Sequence, residues 1–148
     1  MDRLTERELI IDASLANLDA VLDATEEVAS SCGASAKTVK QCQLAIEELF
    51  VNVASYAYPE GETHKPCRIT FASWEADDAG HIRIEIADRG EMFDPLAKED
   101  PDIKTPIKDR KNGGMGIMMT KKLMNSVEYR FVSPENIVTI EKQWALDV

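Results

Sequence analysis

The hydrophobic pattern of this 148-residue chain changes its period close to Pro59-Glu60-Gly61. In the two segments before that point apolar residues recur at the three- and four-residue spacing of helices, and in the two segments after it they alternate with polar residues as strands require. Helices and strands in one chain bury their apolar faces by packing against each other. The pattern therefore predicts an α+β fold around one hydrophobic core.

The elements follow from this pattern and from its stop signals. The first half predicts a strand at residues 8–12, a helix at 15–32, and a second helix that Ser35 caps and that ends near 56–58. The second half predicts strands at 68–74, 81–88, 126–132 and 137–144 and a third helix at 116–124, with a turn at 77–80. We expect one domain over residues 1–148, a two-layer α/β sandwich with helices on one face of a mixed, mostly antiparallel sheet.

Charge and composition exclude several classes of function. The formal net charge of −10 argues against direct nucleic-acid binding, because phosphates require a basic surface. The three cysteines form no C-x-x-C pair, which favours structural thiols in a reducing compartment over disulfides or zinc. No apolar run approaches the ~18 residues of a membrane span, and the first residues lack a signal-peptide core. We expect a cytoplasmic protein without a membrane partner.

Glu48 and Asn52 form the first of three short motifs that carry chemistry. They lie four residues apart on the second predicted helix, so both side chains project from one face. A carboxylate can accept a proton, and a carboxamide oxygen can coordinate a hard cation. Magnesium suits such sparse ligation, because it keeps several waters and binds substrate phosphates. An ordinary solvated helix face is the alternative interpretation.

The other two motifs contain glycine. Asp88 ends a predicted strand before Arg89-Gly90, where its carboxylate can accept a hydrogen bond from an amine such as that of adenine and the glycine lets a flat base approach; a simple turn is the alternative. Gly113-Gly114-Met115-Gly116 opens a predicted helix, where backbone N–H groups can converge on phosphate oxygens. This second motif is neither a P-loop nor a dinucleotide fingerprint.

The segment at about 91–112 between these motifs has the properties of a lid. It contains three prolines, and the window 98–122 holds seven basic and four acidic residues, a net charge of +3 in an acidic chain. Long irregular loops in compact domains commonly cover ligands. We expect this lid to bring Lys108, Arg110 or Lys111 near a small anion, with a solvated loop as the alternative.

Taken in order, these motifs resemble the ATPase domains of the gyrase/heat-shock chaperone/histidine kinase/mismatch-repair superfamily. Within it the chain is most similar to the bacterial anti-sigma factor serine/threonine kinases that regulate sporulation and stress sigma factors. Residues 44–52 match the N box of that family, 86–95 and 113–117 match its two glycine boxes, and 138–142 match its last strand. The resemblance covers about residues 7–144 and implies the histidine-kinase-like ATPase fold.

The resemblance also implies a site for ATP and Mg²⁺. It implies Glu48 as the catalytic base and Asn52 as the magnesium ligand. The residues that it places at the nucleotide are Asp88 and Gly90 at the adenine, Gly113, Gly114, Met115 and Gly116 at the triphosphate, and Thr139, which would help Asp88 to hold the base.

The function that the resemblance implies is transcription regulation by a homodimeric protein kinase. Such a kinase phosphorylates a serine of an anti-anti-sigma protein of the STAS type and sequesters a sigma factor. Two alternatives stay open. One is a nucleotide-gated binding module without significant kinase activity, which is compatible with Tyr56 standing where many family members have a histidine. The other is a plain interaction domain. A histidine-kinase function is not expected, because neither His64 nor His81 lies in a helical dimerisation segment.

Overall fold

The computed structural model describes residues 4–97 and 114–146. The main elements in chain order are β1 (Leu4–Asp12), α1 (Leu18–Ser31), α2 (Ala36–Asn52), β2 (Pro66–Ala76), β3 (Ala79–Asp88), α3 (Gly114–Leu123), β4 (Ser126–Val132) and β5 (Glu135–Ala145). Short 3-10 helices lie at Leu15–Asn17 and Pro95–Ala97, and a π-helical turn, Val53–Ala57, follows α2 directly.

The five strands form one sheet in the order β1-β2-β3-β5-β4. The predicted α+β sandwich is confirmed. Every neighbouring pair among the described strands is antiparallel. The sheet is therefore not mixed over these strands, in contrast to the prediction. Because side chains alternate along a strand, even-numbered residues of β3 and β5 face the helices and odd-numbered residues face away.

The hairpin between β2 and β3 is tighter than predicted. Asp77 and Asp78 have φ angles of 54° and 61°, which is the backbone geometry of a two-residue primed turn. Ala79 and Gly80, which the sequence places in the turn, therefore pair within β3 instead. β1 is also longer than its apolar pattern indicates, because it follows β2 in register as far as the pair Leu4 and Trp74.

The helices begin and end at the residues that cap them. The hydroxyl of Ser35 accepts a hydrogen bond from the backbone N–H of Thr38 at 3.1 Å, which confirms the predicted start of α2. Gly33, at a φ of 83°, turns the chain after α1. The helical backbone after α2 continues to Ala57, but its last five residues are wound as a π-helical turn.

The core lies between the helices and one face of the sheet. Side chains from α1, α2 and the central strands are fully buried there, among them Val21, Val28, Ile46, Phe50, Ile69, Phe71, Ile82, Ile84 and Ile140. The three thiols are free and buried, and burial raises the pKa of Cys42 to about 11 and that of Cys67 to about 12. Within the described ranges, no helix has both the length and the apolar content needed to cross a membrane.

Candidate functional site

A cavity of about 600 Å³ lies where the end of α2 and the π-helical turn face the last residues of β3 and the first residues of β5. This volume is within the range of cavities that hold nucleotide-sized ligands. Most of the lining is apolar, and the polar groups are few. The lining includes Leu49, Asn52, Val53, Tyr56, Ala57, Ile86, Asp88, Gly90, Met92, Phe93, Ile117, Asn136 and Val138.

Asp88 ends β3 in the wall of this cavity and is 9% exposed. Its Oδ1 atom accepts a hydrogen bond from the backbone N–H of Gly90 at 2.9 Å and one from the side chain of Asn136 at 3.0 Å. Burial raises the pKa of Asp88 more than these two hydrogen bonds lower it. Both of these bonds end on Oδ1, so the other oxygen of the carboxylate can accept a donor in the cavity.

Asn136 is the site residue that sequence reasoning missed. It is the second residue of β5, it pairs in register with Asp88, and it lines the cavity while being only 5% exposed. The available signal was a carboxamide at the start of an otherwise apolar strand, Ile137-Val138. That signal becomes specific only when the register of β3 and β5 is known, because the register puts Asn136 beside Asp88.

Thr139 is not brought to the cavity, which corrects its expected place beside Asp88. In register it pairs with Glu85 of β3 and Glu128 of β4. Because side chains alternate across a strand, Thr139 faces the side of the sheet away from Val138, and Val138 lines the cavity. The position next to Asp88 that the resemblance assigns to Thr139 is held by Asn136.

Gly90 packs against the π-helical turn so closely that no side chain fits. A Cβ atom placed on Gly90 would overlap the carbonyl oxygen of Ala57, which belongs to the backbone and cannot rotate away. The hydroxyl of Tyr58 joins the same two segments, since it accepts from the N–H of Arg89 at 2.8 Å and donates to the carbonyl of Pro66. The turn at Arg89-Gly90 is thus attached to the end of the helix that carries Asn52.

Glu48 and Asn52 lie on consecutive turns of α2, as predicted. Asn52 lines the cavity, whereas Glu48 lies half-buried one turn earlier and is not among the described residues of the lining. Burial raises the pKa of Glu48, the neighbouring Asn52 carboxamide lowers it, and the nearby Glu47 raises it further. A carboxamide interacts with a carboxylate through its nitrogen, so the oxygen of Asn52 is left to coordinate a cation.

The third motif lies at the start of α3. Helix α3 begins at Gly114, two residues earlier than predicted, so Gly114, Met115 and Gly116 form its first turn. The next residue, Ile117, lines the cavity. The remaining predicted phosphate contacts, Lys108, Arg110, Lys111 and Gly113, lie outside the described residues, as does most of the predicted lid.

Tyr56 lines the cavity and is 56% exposed. Met92, which also lines the cavity, is 70% exposed. The mouth of the cavity therefore carries large side chains that a bound ligand or protein can cover. Among the described residues no cluster of three or more His, Cys, Asp or Glu side chains forms a separate metal site. The donor set at Asn52 instead suits a magnesium ion that takes its remaining ligands from phosphates and water.

Comparison with known proteins agrees with this geometry. A profile of the histidine kinase-like ATPase domain matches residues 11–142. The chain belongs to this family of ATPase domains. The resemblance predicted from the motifs, to this ATPase superfamily and to its anti-sigma factor kinase family, is confirmed.

The chain is similar to two bacterial serine-protein kinases named RsbW. The chain is 31% identical over 106 residues to that of Oceanobacillus iheyensis and 29% identical over 107 residues to that of Halalkalibacterium halodurans. These matches cover 68% and 70% of this chain but only 63% and 62% of the relatives, so the chain spans less than two thirds of their length.

A solved structure shares the fold. The crystal structure of the RsbU and RsbW domains of Rv1364c from Mycobacterium tuberculosis superposes with a TM-score of 0.62 and 18% sequence identity. The match covers 97% of this chain and 34% of that one. At this identity the likeness shows the fold alone.

Proposed function

We propose that this chain binds ATP with Mg²⁺ and transfers the γ-phosphoryl group to a serine of a STAS-type anti-anti-sigma protein. One observation carries the proposal. A carboxamide, Asn52, lines a cavity whose opposite wall is a buried aspartate, and the half-buried carboxylate of Glu48 lies one helical turn before it on α2, close enough for Asn52 to lower its pKa. The similarity to serine-protein kinases supports a serine as the acceptor.

The chain's own residues have separate tasks in this mechanism. Asp88 accepts a hydrogen bond from the exocyclic amine of adenine, and Gly90 lets the turn that follows Asp88 pack against the backbone of Ala57. The Asn52 oxygen would hold a magnesium ion, which would supply charge neutralisation at the phosphates. The N–H groups at the start of α3 face the phosphates, with Gly113 and the predicted cations Lys108, Arg110 and Lys111 completing that end.

Glu48 acts as the general base. Its carboxylate accepts the proton of the incoming serine hydroxyl as the γ-phosphoryl group leaves ADP. Burial raises the pKa of Glu48 towards the working pH, which makes it a better base than an exposed glutamate. The helical spacing of Glu48 and Asn52 holds the carboxylate one turn from the magnesium ligand, so positioning supplies much of the rate enhancement.

The regulatory part of the proposal concerns partners. By similarity to the RsbW kinases, we propose that the chain works in the bacterial cytoplasm as a homodimer that sequesters a sigma factor. Phosphorylation of the anti-anti-sigma partner then decides how much sigma factor is free. The test is incubation with labelled ATP, Mg²⁺ and the STAS-domain protein encoded next to this gene. Phosphoserine found by mass spectrometry supports the kinase, and its absence refutes it.

A nucleotide-gated binding module without kinase activity is the second candidate. The exposed Tyr56 at the cavity mouth favours it, because a phenol there can contact a docked protein without taking part in phosphoryl transfer. This candidate predicts that ATP increases capture of the STAS-domain protein in a pull-down. It also predicts that no phosphoserine forms during the same incubation.

Substituting Asn52 by alanine should selectively remove the magnesium-dependent part of ATP affinity. Loss of a direct ligand is expected to weaken Mg-ATP binding by at least the roughly 10-fold to 100-fold that is typical when a residue supporting a metal ligand is lost. Calorimetric titrations with Mg²⁺ and with EDTA measure this difference. Gln41→Ala on the same helix is the matched control and should bind as the unaltered protein does. Equal loss in both buffers would contradict the assignment of Asn52.

Raising the pH should make Glu48→Gln more stable relative to the unaltered apo protein. The folded-state pKa of Glu48 lies above its ordinary value of 4.5, so folding costs more once the carboxylate is ionised. Below pH 4.5 both proteins are neutral at this position and the difference in melting temperature should be small. The difference should grow in favour of the variant as pH rises through the raised pKa. A pH-independent difference between the two melting curves would be inconsistent with this electrostatic cost.

A further inference from the structure

The carboxamide nitrogen of Asn136 joins three acceptors around the end of β3. Nδ2 donates to Asp88 Oδ1 at 3.0 Å, to the carbonyl of Glu91 at 2.9 Å and to the carbonyl of Gly90 at 3.2 Å. Two amide hydrogens serve these three acceptors, so one hydrogen is shared between two of them. A single buried side chain therefore contacts both the acid of the site and the backbone that follows it.

The carboxamide oxygen of Asn136 accepts two hydrogen bonds. It accepts from the backbone N–H of Phe93 at 3.0 Å and from the hydroxyl of Tyr129 at 2.6 Å. Backbone carbonyls only accept and a backbone N–H only donates, so these partners determine which end of the amide is nitrogen. Rotating the amide by 180° would oppose an N–H to the N–H of Phe93 and an oxygen to three acceptors.

This arrangement determines how Asp88 is presented to the cavity. Asn136 and the N–H of Gly90 both bind Oδ1, and the described residues make no other hydrogen bond to the carboxylate. Two donors on one oxygen hold the plane of the carboxylate, so Oδ2 is the oxygen available to a ligand. Without Asn136, one donor would remain and the carboxylate could rotate about its χ2 bond, which is broad for aspartate.

We propose that Asn136 is the positioning residue that sets base selectivity in this site, by fixing Asp88 so that Oδ2 meets the exocyclic amine of adenine. The inference rests on the proposed ATP site and adds a residue that the motifs do not contain. A site that presents a fixed acceptor to a donor on its ligand discriminates strongly against the analogue that lacks that donor. Selectivity for the amine should therefore depend on Asn136, whereas the contacts to the phosphates should not.

The test compares ATP with purine riboside triphosphate, which lacks only the exocyclic amine. Calorimetry with Mg²⁺ should show the unaltered protein binding ATP at least about 10-fold more tightly, as expected for one hydrogen bond to a charged group. Asn136→Ala should lower the affinity for ATP by about 10-fold and that for the analogue by less than about threefold. The ratio of the two affinities should then approach one. A ratio that stays at the value of the unaltered protein overturns the proposal.

Tyr129→Phe is the matched control. It removes one hydrogen bond to the oxygen of Asn136 but leaves the three donated by its nitrogen, so the melting temperature should fall while the affinity ratio is retained. If Asn136→Ala does not fold, Asn136→Leu fills the same volume without hydrogen bonds, and the same change in ratio is expected. In the unaltered protein, the side-chain amide protons of Asn136 should exchange slowly with solvent; exchange at the rate of a free amide also overturns the proposal.

These measurements distinguish a wrong proposed function from a wrong role for Asn136. If the unaltered protein binds neither nucleotide, the proposed function is wrong and base selectivity does not arise. If it binds ATP tightly and Asn136→Ala keeps the full preference for ATP, only the role of Asn136 is wrong.

Discussion

Glu48→Gln should bind ATP with unchanged affinity and transfer almost no phosphate to its protein acceptor. The loss of a general base typically lowers the rate by about 100-fold to 10,000-fold. Glutamine has nearly the same shape and volume as glutamate, so the cavity should keep its geometry. Single-turnover transfer to the STAS-domain protein, with ATP affinity measured separately, tests both parts of this expectation.

The neighbouring residue supplies a control for charge. Glu47→Gln removes one negative charge from the same turn of α2 without removing the proposed base, and it should transfer phosphate at nearly the rate of the unaltered protein. If Glu48→Gln and Glu47→Gln behave alike, Glu48 has no special role. If Glu48→Gln loses ATP binding together with transfer, the residue supports the cavity and does not act as the base.

Gly90→Ala should remove nucleotide binding, because the added methyl group would overlap the carbonyl oxygen of Ala57. Neither partner can relieve this overlap by rotating a side chain, so the Asp88 turn must move away from the π-helical turn. Overpacking of this kind costs about 1–3 kcal/mol of folding free energy. The displaced turn should also lower ATP affinity by at least about 10-fold, because Asp88 moves with it. Chemical denaturation and calorimetry measure the two effects.

Gly61 is the matched control for this substitution. It has a φ of 87°, so alanine there is strained, but its added Cβ atom meets nothing within 4 Å. Gly61→Ala should therefore destabilise the fold by about 1 kcal/mol from backbone strain alone and leave ATP affinity unchanged. Retention of full ATP affinity by Gly90→Ala would show that the turn tolerates displacement and that the close packing is not part of the site.

Local signals predicted much of the secondary structure well. The Ser35 cap and the apolar face of α2 depend on neighbours within one or two helical turns, and the structure has both as expected. Errors arose where distant residues decide the outcome. β1 extends to Leu4 because β2 is present to pair with it, and Gly80 joins β3 because the two-residue turn lets it pair with Glu75. Neither effect can be predicted from the local pattern of apolar and polar residues.

The site residues divide in the same way, into those that local spacing predicts and those that distant contacts decide. Glu48 and Asn52 lie on one helix, so their spacing alone puts them on one face. Thr139 was predicted on the wrong face, because side-chain direction in a strand depends on register, and a displacement of one residue reverses it. The register also brings Asn136 beside Asp88, although 48 residues separate them in the chain.

The sequence by itself determined the order of the elements and the residue types that suit a magnesium nucleotide, because both follow from side-chain chemistry and short-range spacing. Only the tertiary structure decided which polar side chain holds Asp88 and why residue 90 has no side chain. Those facts depend on contacts between β3, β5 and the π-helical turn, which form only when distant segments pack against one core.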